Sequence, residues 1–126
     1  MLSNKQNLLD YLTYNLTPKD IERKQFGEIF TPIPVVEQML NLLPVELWSD
    51  PTTTWFDPCV GIGNFMVCVY YRLFEGLREK IPDDNQRSQH IIIKMLYMME
   101  INPKNIYVCK VVFGENTNIY DCDTLA

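Results

Sequence analysis

The chain has 126 residues, 47% hydrophobic and 21% charged, the balance of one small globular domain without repeats or low-complexity blocks. Its formal net charge of −5 argues against a chain that grips nucleic acid by itself, because phosphate contact needs clustered Lys and Arg. The longest apolar run, Phe65 to Tyr71, is far too short for a membrane span, and the start MLSNKQNLLDYL lacks a signal-peptide layout, so a cytosolic location is the default expectation.

In chain order, residues 4–16 place Leu8, Leu9, Leu12 and Leu16 at helical spacing, with Tyr11 widening the face, which predicts an amphipathic helix. Thr17-Pro18 breaks it and is placed to start a second short helix. Thr31 precedes Pro32 and Pro34 and is the expected N-cap of a helix from about Pro32 to Leu43, whose apolar face is Ile33, Val36, Met39, Leu40 and Leu43. TTWFD, residues 53–57, reads as a strand that ends on an acid. From Asn64 to about Lys80 a helix is expected, apolar nearly all round from Phe65 to Tyr71 and so covered on more than one side.

IPDDNQRS reads as an exposed loop, and His90, the sole histidine, as a surface or loop residue without a catalytic role. Ile91 to Lys94 is open between a helix end and extended chain, before a buried strand from about Leu96 to Ile101. Asn102-Pro103 starts a helix that Gly114 stops after Phe113, and residues 117–121 form a third strand. Cys59, Cys68, Cys109 and Cys122 show no C-x-x-C spacing and read as buried free thiols, so no metal site is expected.

Strands alternating with helices imply an α/β fold with a parallel sheet and right-handed crossovers. Asp57, Glu100, and Asp121 or Asp123 close the three strands, and ligands of open α/β sheets bind beyond those ends. Between Asp57 and the following helix lies PCVGIGNF, where Gly61 and Gly63 leave the backbone free to approach a ligand. A dinucleotide fingerprint wants a third small residue that is missing here, and Asp57 at the mouth would repel a pyrophosphate. A nucleoside with an amine end fits better, with Glu100 placed to accept ribose hydroxyls. Each residue also has a plainer reading: Asp57 caps the turn, and Asn64 and Thr31 cap helices.

Four stretches in order, FGEIFTP, DPCVGIGNF, MEINP and CDTL, resemble the N-terminal half of an N6-adenine DNA methyltransferase with the gamma order of motifs X, I, II and III. Modification subunits of type I restriction systems and versions in large viruses and phages are similar in pattern. The resemblance implies a partial Rossmann-like fold, with residues 1–50 as an N-terminal helical segment carrying motif X and 51–126 as the first half of the methyltransferase domain. It also implies S-adenosyl-L-methionine as cofactor. Phe30 and Thr31 would fold over the methionine end, and Asp57 would face its amine within the element running through Pro58, Cys59, Gly61, Gly63, Asn64 and Phe65. Glu100 would bind the ribose and Ile101 would pack on the adenine, with Asp123 and Leu125 supplying the last element and Asp123 accepting from the adenine amino group. Cys59, Val60, Ile62 and Met98 are bulkier than the family's usual residues there and are expected to narrow the pocket.

The family's catalytic N-P-P-aromatic tetrapeptide, which receives the flipped adenine, does not occur in these residues. The expectation is therefore a cofactor-binding portion without catalytic residues of its own, inactive alone and located in the cytoplasm of a bacterial or infected host cell. It would meet DNA through regions outside these residues and pair with a complementary C-terminal half or a second copy, with no membrane involved. Two other readings stay open: a methyltransferase acting on protein or RNA, and a degenerate cofactor-binding or assembly module.

Overall fold

The computed structural model describes residues 2–15 and 31–122. Its elements, in order, are α1 (Lys5–Asn15), α2 (Ile33–Leu40), a 3-10 turn (Val45–Ser49), β1 (Trp55–Asp57), α3 (Asn64–Gly76) and α4 (Asp84–His90). A π-helical turn (Ile91–Met95) then leads into β2 (Leu96–Glu100), α5 (Pro103–Phe113) and β3 (Asn118–Asp121). The three strands form one parallel sheet in the order β1-β2-β3, a mixed helix and strand architecture of the kind the alternation predicts. The second helix expected after Thr17 lies outside the described residues.

Register decides which side chains share a face. Trp55 pairs with Leu96, Asp57 with Met98, Met98 with Ile119 and Glu100 with Asp121. These residues occupy one side of the sheet, since lateral partners in a parallel pair point the same way. Leu96 and Met98 there are fully buried. On the other side Phe56, Tyr97, Met99 and Tyr120 fall in line, with Phe56 57% and Tyr120 53% exposed.

The core gathers Leu8 and Leu12 of α1, Val36 and Leu40 of α2, and Met66, Val67, Val69, Tyr70 and Leu73 of α3. The all-round apolar start of α3 is thus covered on several sides, as its composition requires. Helix α2 departs from its predicted face. Met39 is half-exposed and Leu43 lies beyond the helix end, partly open. Arg72 of α3 ties the two helices together through Glu37 at 2.6 Å and Asn41 at 2.9 Å.

Four local expectations are corrected. Thr31 does not cap α2: Pro32 holds the N-cap position and no side chain caps that end. The IPDDNQRS stretch is not a loop throughout, because Asp83 accepts from the Gln86 amide and starts α4. Arg87 of that helix is fully buried, donating to the Ile81 and Pro82 carbonyls and to Asp84 while its guanidinium lies 4.0 Å over the Phe74 ring. Accordingly His90 ends a helix, half-buried, with Nε2 2.8 Å from the Pro51 carbonyl. Cys68 and Cys109 are buried thiols, whereas Cys59 is exposed and Cys122 partly so.

Gly76 sits where α3 passes the 3-10 turn, and a Cβ there would lie 2.1 Å from the Trp48 carbonyl oxygen. Trp48 in turn stacks on Trp55 of β1, ring centroids 4.8 Å apart, so the close approach aligns the helix with the first strand. Gly76→Ala is expected to destabilise the chain by about 3 kcal/mol, the upper range for overpacking, measured by urea denaturation. Glu75→Ala next to it, losing only an exposed ion pair with Arg78, is expected to change stability by about 0.5 kcal/mol or less.

Candidate functional site

At the carboxyl end of the sheet β1 delivers Asp57 and β2 delivers Glu100, on the same face with Met98 between them in register. The chain leaves Asp57 through a tight turn. Asp57 Oδ1 accepts from the Cys59 amide at 3.0 Å, and the Val60 amide donates to the Met99 carbonyl at 3.0 Å, carrying the pairing one step past the strand. Gly61 (φ 60°) and Gly63 (φ 93°) then adopt left-handed backbone that other residues reach only under strain. Gly63 N-caps α3.

The two glycines serve different neighbours. A Cβ on Gly63 would meet the Phe113 ring at 3.2 Å and the Cys109 sulfur at 3.4 Å, so its bareness lets the turn close on α5. Gly61 lines a cavity of about 360 Å³ together with Thr31, Asp57, Cys59, Asn64 and Phe65. That volume falls in the range of small-molecule sites, roughly 300–1,000 Å³. Thr31 reaches the site from the far end of the sequence, because the Asn64 side-chain amide donates to its carbonyl. Asn64, itself buried, is therefore a tether between two sequence motifs and not a helix cap.

Glu100 lies behind the turn, 7% exposed, and its carboxylate is held by three donors. Oε1 accepts from the Gly61 amide at 3.1 Å, and Oε2 from the Asn102 amide at 3.0 Å and the Asn105 side chain at 3.2 Å. Asn102 meanwhile caps α5 by accepting from the Lys104 amide, so the helix start and the strand-end acid are one structure. Cys109 closes the back of the turn, its thiol donating to the Gly61 carbonyl at 3.4 Å. Burial, then the charges of Glu100 and Asp57, push that thiol far above its usual range, so it serves packing and not nucleophilic chemistry.

Asp57 is only half-buried. Burial pushes its carboxyl above the ordinary 3.8, the Cys59 hydrogen bond opposes the rise, and the charge of Glu100 adds to it. Asp57 lines the cavity with the charge of Glu100 behind it, a setting that favours a ligand bringing positive charge. Among the described residues no cluster of metal-ligating side chains occurs, and no helix is long and apolar enough to cross a membrane.

The sequence singled out the residues that the structure assembles at the cavity: Thr31, Asp57, Cys59, Gly61, Asn64 and Phe65. Glu100 joins through Gly61, while Pro58 belongs to the turn. Ile101 is 43% exposed and does not line the cavity. Of the bulkier residues, Val60 and Cys59 line it, whereas Ile62 and Met98 are fully buried in the core and leave its width alone. Phe30, Asp123 and Leu125 lie outside the described residues, and Asp121 ends β3 exposed, opposite Glu100. Asn105 escaped sequence reasoning. Its signal was a polar residue on the stripe Asn105, Val108, Cys109 and Val112, which the helical period buries.

A larger groove of about 1010 Å³ runs among α1, α2, α3 and α4 and shares no lining residue with the first. Its charged groups are already engaged, Arg72 with Glu37 and Lys5 over the Tyr71 ring, and it lies off the strand ends where the acids gather.

The raised pKa of Asp57 fixes the sign of a pH effect. The folded chain holds that proton more tightly than the unfolded chain, so ionising Asp57 opposes folding. This opposition is absent below pH 3.8, grows as pH rises through the window above it, and is complete once Asp57 has ionised in the folded state. Asp57→Asn keeps an oxygen for the Cys59 amide without the charge. It is expected to melt at a higher temperature than the parent at pH 7, with the two melting curves converging below pH 3.8 in a calorimetric pH series.

Comparison with known proteins shows the family. The sequence pattern of the N-6 DNA Methylase family matches residues 9–124, a span that includes every described residue of the cavity. A relative from Mycoplasma pneumoniae, described as an uncharacterized adenine-specific methylase, is 41% identical over 73 residues. Those residues are 56% of this chain and 17% of that protein, so the match spans under a fifth of the relative's length. With the family pattern covering nearly all of its length, the chain belongs to the N-6 DNA methylases.

Proposed function

We propose that this chain is the S-adenosyl-L-methionine-binding portion of a DNA adenine-N6 methyltransferase of a restriction-modification system or virus, working in the cytoplasm. The observation that carries the reading is the cavity at the carboxyl end of β1, where Asp57, Gly61 and Asn64 face Thr31 from the preceding segment. The residues present fit the cofactor. Asp57, half-buried and beside a second acid, has acceptor capacity beyond the Cys59 amide and suits an ammonium group. Gly61 leaves the backbone bare where the nucleoside would lie, and Glu100 stands behind it for the ribose. When bound, the sulfonium would supply the methyl group. The chain's part is to hold the amine at Asp57, set the sugar against the turn, and keep the site shaped through the Asn64 tether.

The domain division follows the same reading, with residues 1–50 as the leading segment and 51–126 as the first half of a Rossmann-like domain. A parallel sheet in order β1-β2-β3 with α5 crossing between β2 and β3 is compatible with it. No N-P-P-aromatic tetrapeptide occurs in these residues, and in this reading residues outside them receive the adenine and meet DNA. Titration calorimetry with S-adenosyl-L-methionine tests the reading. Binding by the parent is expected, weakened about tenfold or more in Asp57→Ala, the scale of one lost charge-assisted hydrogen bond. The chain alone is expected to leave adenine-containing duplex DNA unmethylated. A parent chain that takes up no cofactor overturns the proposal in favour of a degenerate assembly module.

The open sheet face carries the partner reading. Parallel sheets are almost always covered on both sides, yet Phe56 and Tyr120 stand exposed beside Tyr97 and Met99. A complementary C-terminal half, or a second copy, covers this face. Light scattering at increasing concentration should show a dimer that Phe56→Ser with Tyr120→Ser abolishes, if the partner is a second copy. A strictly monomeric parent leaves the complementary half as the partner.

A further inference from the structure

Helix α2 forms one wall of the cavity, with Thr31 just before its first turn and Leu40 at its end. Its two halves are held to α3 by different means. Arg72 grips the second half, donating to the Glu37 side chain and carbonyl and to Asn41. The first half is reached by Asn64, whose side-chain amide donates to the Thr31 carbonyl across 33 positions of sequence. That carbonyl lies one residue outside the helix ladder, because the Val35 and Val36 amides both donate to Pro32. Asn64 opens α3 but makes no cap there, so its side chain is directed to the neighbouring wall. It is 3% exposed and lines the cavity together with Gly61 and Thr31.

We propose that Asn64 is a positioning residue that couples occupancy of the cavity to the docking of the first turn of α2. The coupling rests on the cofactor reading above and deepens it: a ligand that meets Asp57 and Gly61 as well as Thr31 holds the two walls in register. By reciprocity, whatever the docking of Thr31 adds to ligand affinity, the bound ligand adds to the docking of Thr31. Only a donor can serve at this position, since the group it meets is a carbonyl oxygen; an aspartate of similar shape has no N–H to give. With Arg72 anchoring the second half of α2, loss of the Asn64 amide frees the first turn alone.

The test follows backbone hydrogen exchange in the whole chain, free and saturated with S-adenosylhomocysteine, whose affinity is measured by titration calorimetry. The Val35 and Val36 amides report the first turn of α2, and the Val67 amide, bonded to the Gly63 carbonyl, reports the start of α3. In the parent the probe is expected to slow exchange at Val35 and Val36 by about fivefold or more, the scale of coupling between two linked equilibria. In Asn64→Ala the slowing there is expected to fall below about twofold at saturation, with the probe bound about fivefold more weakly and the slowing at Val67 kept. Asn64→Asp, similar in size but without the donor, is expected to behave the same way. A residue that only stabilised the fold would speed exchange at all three amides alike in the free protein and leave the slowing by the probe intact. Slowing at Val35 and Val36 that persists in either folded variant overturns the role of Asn64. A parent that binds the probe without slowing exchange at Val35 and Val36 overturns the coupling while the cofactor reading stands, and this arm decides even if neither variant folds. A parent that takes up no probe removes the cofactor reading and the coupling with it.

Discussion

The Glu100 carboxylate joins three pieces of backbone at one point: the end of β2, the first turn of α5 and the glycine turn after β1. A carboxylate this deeply buried would oppose folding if left alone, since removing a charge from water costs several kcal/mol. Three donors at 3.0 to 3.2 Å offset that cost, and two of them are amides that a turn and a helix start leave without intrahelical partners. The acid and the backbone ends therefore satisfy each other. With Gly61 pinned to Glu100, the turn has one shape, and the cavity it lines inherits that shape.

The rest of the site is aligned by two further contacts across long stretches of sequence. Asn64 binds the Thr31 carbonyl and so sets the segment before α2 against the glycine turn. Gly76 admits the Trp48 backbone against α3, and Trp48 stacks on Trp55. Helix α3 thus carries a fixing point at each end: a polar tether where it begins, next to the cavity, and a backbone-to-backbone approach where it stops. Between them the apolar stretch from Met66 to Tyr70 fills the core and permits little sliding.

Much of this was legible in the sequence where one signal acted locally. Pro103 after Asn102 fixed the start of α5, and Gly114 its end, to the residue. TTWFD and the run ending at Glu100 announced strands closed by acids, and parallel pairing placed Asp57 and Glu100 on one edge. What the sequence hid depends on distant partners. DDNQRSQH has no apolar period, and its helix forms because Arg87 finds the Ile81 and Pro82 carbonyls and the Phe74 ring. Gly63 resembles Gly61 in the motif, but only the packing of Phe113 shows that one glycine serves α5 and the other the cavity. Thr31 looked like a helix cap because its type and its prolines fit one, while Asn64, lying 33 positions further on, gave its carbonyl a different task.

Two acids of the same charge close neighbouring strands, one lining the cavity and one buried behind its turn, and their surroundings divide the work between them. Glu100, surrounded by donors, is committed to the scaffold. Asp57 accepts from the Cys59 amide, is half open to water, and feels both burial and its neighbour's charge, which leaves its ionised form poorly compensated. A fold selected for stability alone would replace Asp57 with a neutral residue, since the Cys59 amide needs only an oxygen. Retaining the charge makes sense if something positive completes the site. The two strand-end acids thus differ in how their charge is met: Glu100 by three donors, Asp57 by the Cys59 amide.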